Sequence, residues 1–127
     1  MSTTPEILVV DDEPALRLLL QEFFKRDFRV VPLKDGTETL QWLIKNELPT
    51  LAIIDLMMPG LSGLELIKTI RAKREWDELS IVVLSAKESS IDRVNALNAG
   101  ADDFVVKPFN PEELRARINS VLRRARH

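Results

Sequence analysis

The chain has 127 residues, 45% of them apolar and 30% charged, with 18 Lys and Arg against 20 Asp and Glu and a formal net charge of −2. That is the size of one domain with room for a core, and it is too apolar for a disordered chain. The slight acidic balance argues against a dedicated nucleic-acid binder, the lack of cysteine removes disulfides and thiolate metal sites, and no apolar stretch is long enough to span a membrane. Met1–Pro5 has neither the basic nor the apolar region of a signal peptide, so a cytoplasmic protein without a membrane partner is expected.

Strand-like and helix-like segments alternate along the chain. A strand over about Glu6–Asp11 precedes a helix opened by Pro14, with Leu16, Leu19, Leu20 and Phe23 as its apolar stripe. A strand over Phe28–Leu33 follows. Asp35-x-x-Glu38 then fits a capping box, heading a helix with Leu40, Leu43 and Ile44 on its inner face. The third unit is a strand over Thr50–Asp55, a second capping box at Ser62-x-x-Glu65, and a stripe of Leu64, Ile67 and Ile70. The fourth pairs Ser80–Ser85 with a helix carrying Ile91, Val94 and Leu97 and stopping at Gly100. A strand over Asp102–Val106 leads to Asn110-Pro111-Glu112-Glu113, a helix start, and to the stripe Leu114, Ile118, Val121 and Leu122. The chain ends in a basic turn, Arg123-Arg124-Ala125-Arg126-His127. Repeated β–α units with near-continuous apolar strands predict an α/β fold: a parallel sheet covered by helices on both faces, with right-handed connections. Periodicity leaves the strand order open.

Four strand ends each deliver polar groups. Asp11 and Asp12 follow Ile7–Val10, Asp55 follows Leu51–Ile54, Ser85 follows Ile81–Leu84, and Lys107-Pro108 follows Phe104–Val106. In an open parallel sheet the carboxyl edge is where ligands bind. Three carboxylates, a hydroxyl and an ammonium gathered there suit a hard cation and a phosphoryl group. Mg²⁺ takes oxygen ligands and relieves the repulsion among the acids. Asp55 can then act as a nucleophile toward phosphorus, with Lys107 and Ser85 engaging the transferring group. Helix capping accounts for each acid singly but not for their joint placement.

The motifs Val9-Val10-Asp11-Asp12-Glu13, Asp55-Leu56-Met57-Met58-Pro59-Gly60 with Gly63, Ser85-Ala86, and Gly100-Ala101-Asp102-Asp103-Phe104-Val105-Val106-Lys107-Pro108-Phe109 resemble the receiver domain of bacterial two-component response regulators. The resemblance spans nearly the whole chain, in the family's order and spacing. It implies one receiver domain over residues 1–127, ordered from about 5 to 125. It also implies a flavodoxin-like, doubly wound five-stranded sheet in order 2-1-3-4-5 with five helices in three α/β/α layers. By that resemblance Asp55 is the phosphoacceptor. Asp12, Asp55 and the Met57 backbone carbonyl are direct Mg²⁺ ligands, with Asp11 acting through a metal-bound water. Ser85 and Phe104 are the switch pair, the Lys107–Pro108 bond is cis, and Met57 and Lys87 stand at positions that tune phosphoryl lifetime. Phe104 replaces the tyrosine also common at its position, so no phenolic hydroxyl takes part.

The same family implies a sensor histidine kinase as partner and a signal carried by the surface of the fourth helix, fifth strand and fifth helix. Arg93, Asp102, Asp103, Glu113, Arg117 and Arg124 resemble the charges with which receivers of winged-helix transcription regulators dimerise on phosphorylation. Arg115 stands where that subfamily usually has a small or aliphatic residue, and a long cation there is expected to disturb the apolar centre of such an interface. DNA would be reached only through an output domain absent from this chain. A stand-alone receiver, acting by docking or in a phosphorelay, is the alternative. A Mg²⁺-dependent phosphohydrolase with an aspartyl nucleophile is the remote one, since it needs a second acid two residues after the nucleophile, where Met57 stands. A pseudo-receiver that only binds partners is at odds with the complete acidic set.

Overall fold

The computed structural model describes residues 4–86 and 90–125. Five parallel strands, β1 (Glu6–Val10), β2 (Arg29–Leu33), β3 (Leu51–Asp55), β4 (Ser80–Ser85) and β5 (Asp103–Val106), form one sheet in the order β2-β1-β3-β4-β5. Every pairing is parallel, with Val9 opposite both Pro32 and Ile53, Asp55 opposite Leu84, and Ser85 opposite Val106. The helices are α1 (Pro14–Phe24), α2 (Gly36–Lys45), α3 (Gly63–Arg71), α4 (Ser90–Ala99) and α5 (Pro111–Ala125).

Successive strand side chains point to opposite faces, so each all-apolar strand feeds two cores. Ile7, Val9, Leu51, Ile53, Val82, Leu84 and Val105 pack against Leu20 and Phe24 of α1 and Leu114, Ile118 and Val121 of α5. Leu8, Val10, Ala52, Ile54, Ile81, Val83 and Phe104 face Leu43 of α2, Leu66, Ile67 and Ile70 of α3, and Ala96 of α4. This is the three-layer α/β/α arrangement, in the strand order that the family resemblance implies.

The expected helix starts are built as capping predicts, with one variation. Ser62 and Glu65 form the full reciprocal box at the head of α3. Asp35 accepts from the Glu38 N–H, but the Glu38 carboxylate reaches back to the Lys34 N–H, one residue farther than expected. Asn110 Oδ1 accepts from the backbone N–H groups of Glu112 and Glu113. Gly100 ends α4 at φ +122°, with its own N–H on Leu97 and the Ala101 N–H on Ala96, closing the helix in a left-handed turn.

Four helix stripes differ from the periodic reading, α3 by seating Leu66 rather than Leu64 with Ile67 and Ile70. Leu19 and Ile44 are exposed, and α1 seats Phe24 in the core alongside the expected Leu20. The larger difference is α4, whose Ile91, Val94 and Leu97 are 70%, 51% and 42% exposed while its one buried side chain is Ala96. Period 3.6 identifies a face without saying which way it points. Here the small residues Ala96 and Ala99 let α4 lie close to the second core and turn the large apolar stripe outward.

Candidate functional site

The strand order makes the site. From β1 the chain winds out to β2 and then returns across the sheet to β3, so connections leaving the carboxyl ends of β1 and β3 diverge and open a crevice. Asp11 follows β1 directly and Asp55 is the last residue of β3. Their carboxylates, with that of Asp12, place ligand oxygens all within 4.8 Å of one another. Asp11 and Asp55 are 2% and 5% exposed, whereas Asp12 is open to solvent.

Each buried acid is held from several sides. Asp11 Oδ1 accepts from the Glu13 N–H at 2.9 Å, and Oδ2 lies 3.0 Å from the Lys107 ammonium. Asp55 Oδ1 accepts from the Met57 N–H at 3.1 Å, and Oδ2 lies 3.5 Å from the same ammonium. Burial pushes the Asp55 carboxyl above its ordinary range, and the Asp11 charge adds to this; the Met57 N–H and Lys107 oppose both without overcoming them. Burial pulls the Lys107 ammonium down, but its hydrogen bond to Asp11 and the charge of Asp55 outweigh that and leave it raised.

Backbone geometry around Asp55 depends on Gly63. Its N–H donates to the Leu56 carbonyl at 3.1 Å, and a Cβ at this position would fall 2.2 Å from the Asp55 carbonyl oxygen and 2.6 Å from Leu56 Cα. Only glycine lets α3 begin this close to the end of β3.

The structure brings Lys107 and Ser85 to the same edge: the Lys107 N–H donates to the Ser85 carbonyl at 2.8 Å, and the Lys107–Pro108 peptide is cis. Ser85 is fully buried. Phe104 is buried in the sheet face beneath α4, with the Arg93 guanidinium 5.5 Å from its ring centroid. Met57 is 53% exposed beside the pocket, while Met58 packs into the core. Lys87 lies outside the described residues.

The six charged residues of the α4–β5–α5 side are not all arranged alike. Asp102, Asp103, Glu113, Arg117 and Arg124 surround one shallow groove, and Arg93 and Arg117 line the next one, above Phe104. Arg117 pairs with both Asp103 and Glu113 within the chain. Asp102, at the edge of the first groove, is engaged elsewhere in the chain: its Oδ2 accepts from Arg71 and from the Ile81 N–H. Arg115 corrects the expectation that it disturbs the centre of this face. It points to α1 instead, where it pairs with Asp27 and covers the Phe23 ring at 4.5 Å.

Sequence reading passed over Arg71 and Arg17. Arg71 donates to the carbonyls of Gly100, Trp76 and Asp77 besides pairing with Asp102, tying α3 to the turn before β5. Arg17 donates to the Asp11 carbonyl at 2.7 Å. A cation one turn after an acidic strand end was the available signal for Arg17; nothing local to Arg71 marked its partners.

A doubly wound sheet with an acidic crevice at its switch point and a lysine across it defines a class of phosphoryl-handling α/β proteins. The chain belongs to the response regulator receiver domain family, which it matches over residues 7–119. It is 42% identical over 123 residues to the phosphate regulon transcriptional regulatory protein PhoB of Rhizobium meliloti, covering 96% of this chain and 54% of that one. It is 40% identical over 121 residues to the alkaline phosphatase synthesis transcriptional regulatory protein PhoP of Bacillus subtilis, covering 94% and 49%. The chain thus spans about half the length of these curated relatives. Among solved structures it is similar to the beryllofluoride-activated DrrB receiver domain, with TM-score 0.84, 30% identity and coverage of 95% and 99%. It is also similar to the chemotaxis protein CheY4 of Vibrio cholerae, with TM-score 0.87, 28% identity and coverage of 94% and 99%. Among the described residues no helix is long and apolar enough to cross a membrane.

Proposed function

We propose that the chain is a single receiver unit in which Asp55 accepts a phosphoryl group from a sensor histidine kinase or a small phosphodonor. One observation carries this reading: three carboxylates within 4.8 Å, with one lysine bridging the two buried ones. A set of hard carboxylate oxygens, two of them buried and only partly neutralised by Lys107, fits Mg²⁺. Asp12, Asp55 and the Met57 carbonyl would hold the ion, with Asp11 engaged through water. When bound, it neutralises charge on the acids and on the phosphoryl oxygens.

In the transfer, an Asp55 carboxylate oxygen forms the new bond to phosphorus as the bond to the donor's nitrogen or oxygen breaks. The Met57 N–H fixes the Asp55 rotamer through Oδ1. Lys107, already 3.5 Å from Oδ2, needs little movement to meet the phosphoryl oxygens. Ser85 supplies a hydroxyl to the same group, and Phe104 follows it in a shift between two pre-existing conformations. Met57 has no proton to relay to water, so the aspartyl phosphate persists as a signal rather than turning over as in a hydrolase. Met57 and Lys87 would set how long it lasts.

The output surface is α4–β5–α5. Exposed Ile91, Val94 and Leu97 beside the charged grooves support self-association there, with Arg93, Asp102, Asp103, Glu113, Arg117 and Arg124 as the polar rim. Relatives that are transcriptional regulators and about twice as long support a cytoplasmic regulator with a winged-helix DNA-binding output. Light scattering with Mg²⁺, with and without beryllofluoride, tests the reading on the wild type and Asp55→Asn. Dimerisation only when Asp55 is intact is the expected result. An unchanged mass despite bound beryllofluoride would favour a stand-alone receiver that docks on a partner.

A further inference from the structure

Asp11 is gripped at four atoms. Its N–H donates to the Leu33 carbonyl at 3.1 Å, Oδ1 accepts from Glu13 at 2.9 Å, and Oδ2 meets Lys107 at 3.0 Å. The fourth and shortest contact is the 2.7 Å bond from Arg17 Nη1 to the Asp11 backbone carbonyl. A guanidinium donor makes that bond charge-assisted, and stronger than one between neutral groups.

Arg17 also stands against a local rule. It lies in the opening turns of α1, where the helix dipole is positive and a cation is disfavoured. No acidic residue occupies the first turn of α1, and the Glu13 side chain makes no cap bond to offset it. The side chain still folds back toward the helix start, half-buried, rather than extending into water. A residue that breaks a local preference yet keeps a specific partner marks a position held for function.

That partner matters because the Asp11 carbonyl belongs to the Asp11–Asp12 peptide. The orientation of this peptide sets where the exposed Asp12 carboxylate projects relative to Asp55. We infer that Arg17 is a positioning residue for cation capture: by holding the Asp11–Asp12 peptide, it presents Asp12 to the metal-binding crevice. The inference rests on the reading of the acidic pocket as a Mg²⁺ site. Outer partners of this kind are commonly worth about 10-fold or more in metal affinity.

The guanidinium charge acts in the opposite direction, since a nearby cation repels Mg²⁺. The two roles therefore differ in sign. Backbone amide shifts of Asp11, Asp12 and Asp55, followed during titration with MgCl₂, read the affinity in the wild type, Arg17→Met and Arg17→Lys. Hydrogen exchange at the Glu13 amide reads the loop before metal is added. Positioning predicts binding weakened about 10-fold in Arg17→Met, less in Arg17→Lys, and faster Glu13 exchange in the order Met, Lys, wild type. Unchanged or tighter binding in Arg17→Met makes Arg17 a repelling charge only and overturns the inference. Equal weakening by Met and Lys reduces its role to packing and overturns it too. If Arg17→Met fails to fold, Arg17→Gln, which keeps a donor without the charge, takes its place beside Arg17→Lys: weaker binding and faster Glu13 exchange, unequal in the two variants, support positioning, and equal weakening or unchanged binding in both overturns it. A wild type whose pocket amides ignore Mg²⁺ defeats the pocket reading itself, a result distinct from the others.

Discussion

The Lys107 ammonium sits 3.0 Å from Asp11 Oδ2 and 3.5 Å from Asp55 Oδ2, so one cation serves two buried carboxylates at the ends of different strands. Replacing Lys107 by methionine removes the counter-charge and leaves both acids facing each other. Breaking such a pair from one side costs on the order of 3 kcal/mol when fully buried, and the partial exposure of Lys107 reduces this to about 2 kcal/mol. Mg²⁺ can supply the missing positive charge. Chemical denaturation should show Lys107→Met destabilised without metal and recovering part of the loss as MgCl₂ is added. Phosphoryl uptake from acetyl phosphate should nonetheless remain depressed, because the amine that meets the phosphoryl oxygens is gone.

Asp55 holds its proton above the ordinary carboxylate range, principally because it is buried. Just above that range the folded state therefore binds more protons than the unfolded chain, and stability falls as pH rises through this window. Below the window both states are protonated, and above it the full cost of the buried charge is present. Asp55→Asn removes that cost. The variant should be more stable than the wild type at neutral pH without metal, and its stability should change less with pH across the window. A gain of about 1 kcal/mol corresponds to roughly 4 °C in melting temperature for a domain of this size. Mg²⁺ at a hundredfold excess over its Kd stabilises the wild type by about 2.7 kcal/mol, and should do so far less in Asp55→Asn.

Strand identity was legible because four of the five strands are apolar runs that end in, or run straight into, a polar group; the expected bounds differ from those observed by at most one residue. The convergence of Asp11, Asp12, Asp55, Ser85 and Lys107 followed from those same ends. Strand order was not available from periodicity, because β1, β3 and β4 are buried on both faces and carry no mark of their neighbours; it came from family resemblance. The outward turn of Ile91, Val94 and Leu97 was hidden for a related reason. An apolar stripe looks the same whether it meets a core or awaits a partner. The directions of Arg17, Arg71 and Arg115 were hidden more deeply, since a long flexible cation finds its acceptor only once the fold has placed one.

Gly63 should tolerate no side chain. An added Cβ would lie 2.2 Å from the Asp55 carbonyl, a backbone atom that cannot step aside as a side-chain tip could. Gly63→Ala must therefore move the start of α3, or the end of β3, by close to an ångström before that contact reaches even 3.0 Å. Overpacking of this kind costs roughly 1–3 kcal/mol. The damage should be local as well as global, because β3 ends in Asp55. Thermal melting should show the lost stability, and amide shifts of Asp55 and Met57 should move more than those of β2. By contrast, Gly60 has φ +75° with open space around it, so Gly60→Ala should cost about 1 kcal/mol from conformation alone and leave the pocket shifts in place.

Arg115 fastens α5 to α1. Its guanidinium pairs with Asp27, donates to the Phe23 carbonyl at 3.4 Å, and covers Phe23 and Phe24 at 4.5 and 5.5 Å. Those rings continue edge-to-face into Phe28, so the cation closes an aromatic row beneath the helix pair. The ion pair is partly exposed and worth little alone, but cation–π contact and the buried side-chain stem add to it. Arg115→Ala should lower stability by about 1–2 kcal/mol and speed amide exchange in the first turns of α5. It should leave beryllofluoride-dependent self-association intact, since Arg115 lies away from the grooves lined by Asp103 and Arg117. Arg117→Ala should do the reverse: its partners Asp103 and Glu113 are on the proposed interface, so mass by light scattering should fall while stability changes by less than about 1 kcal/mol.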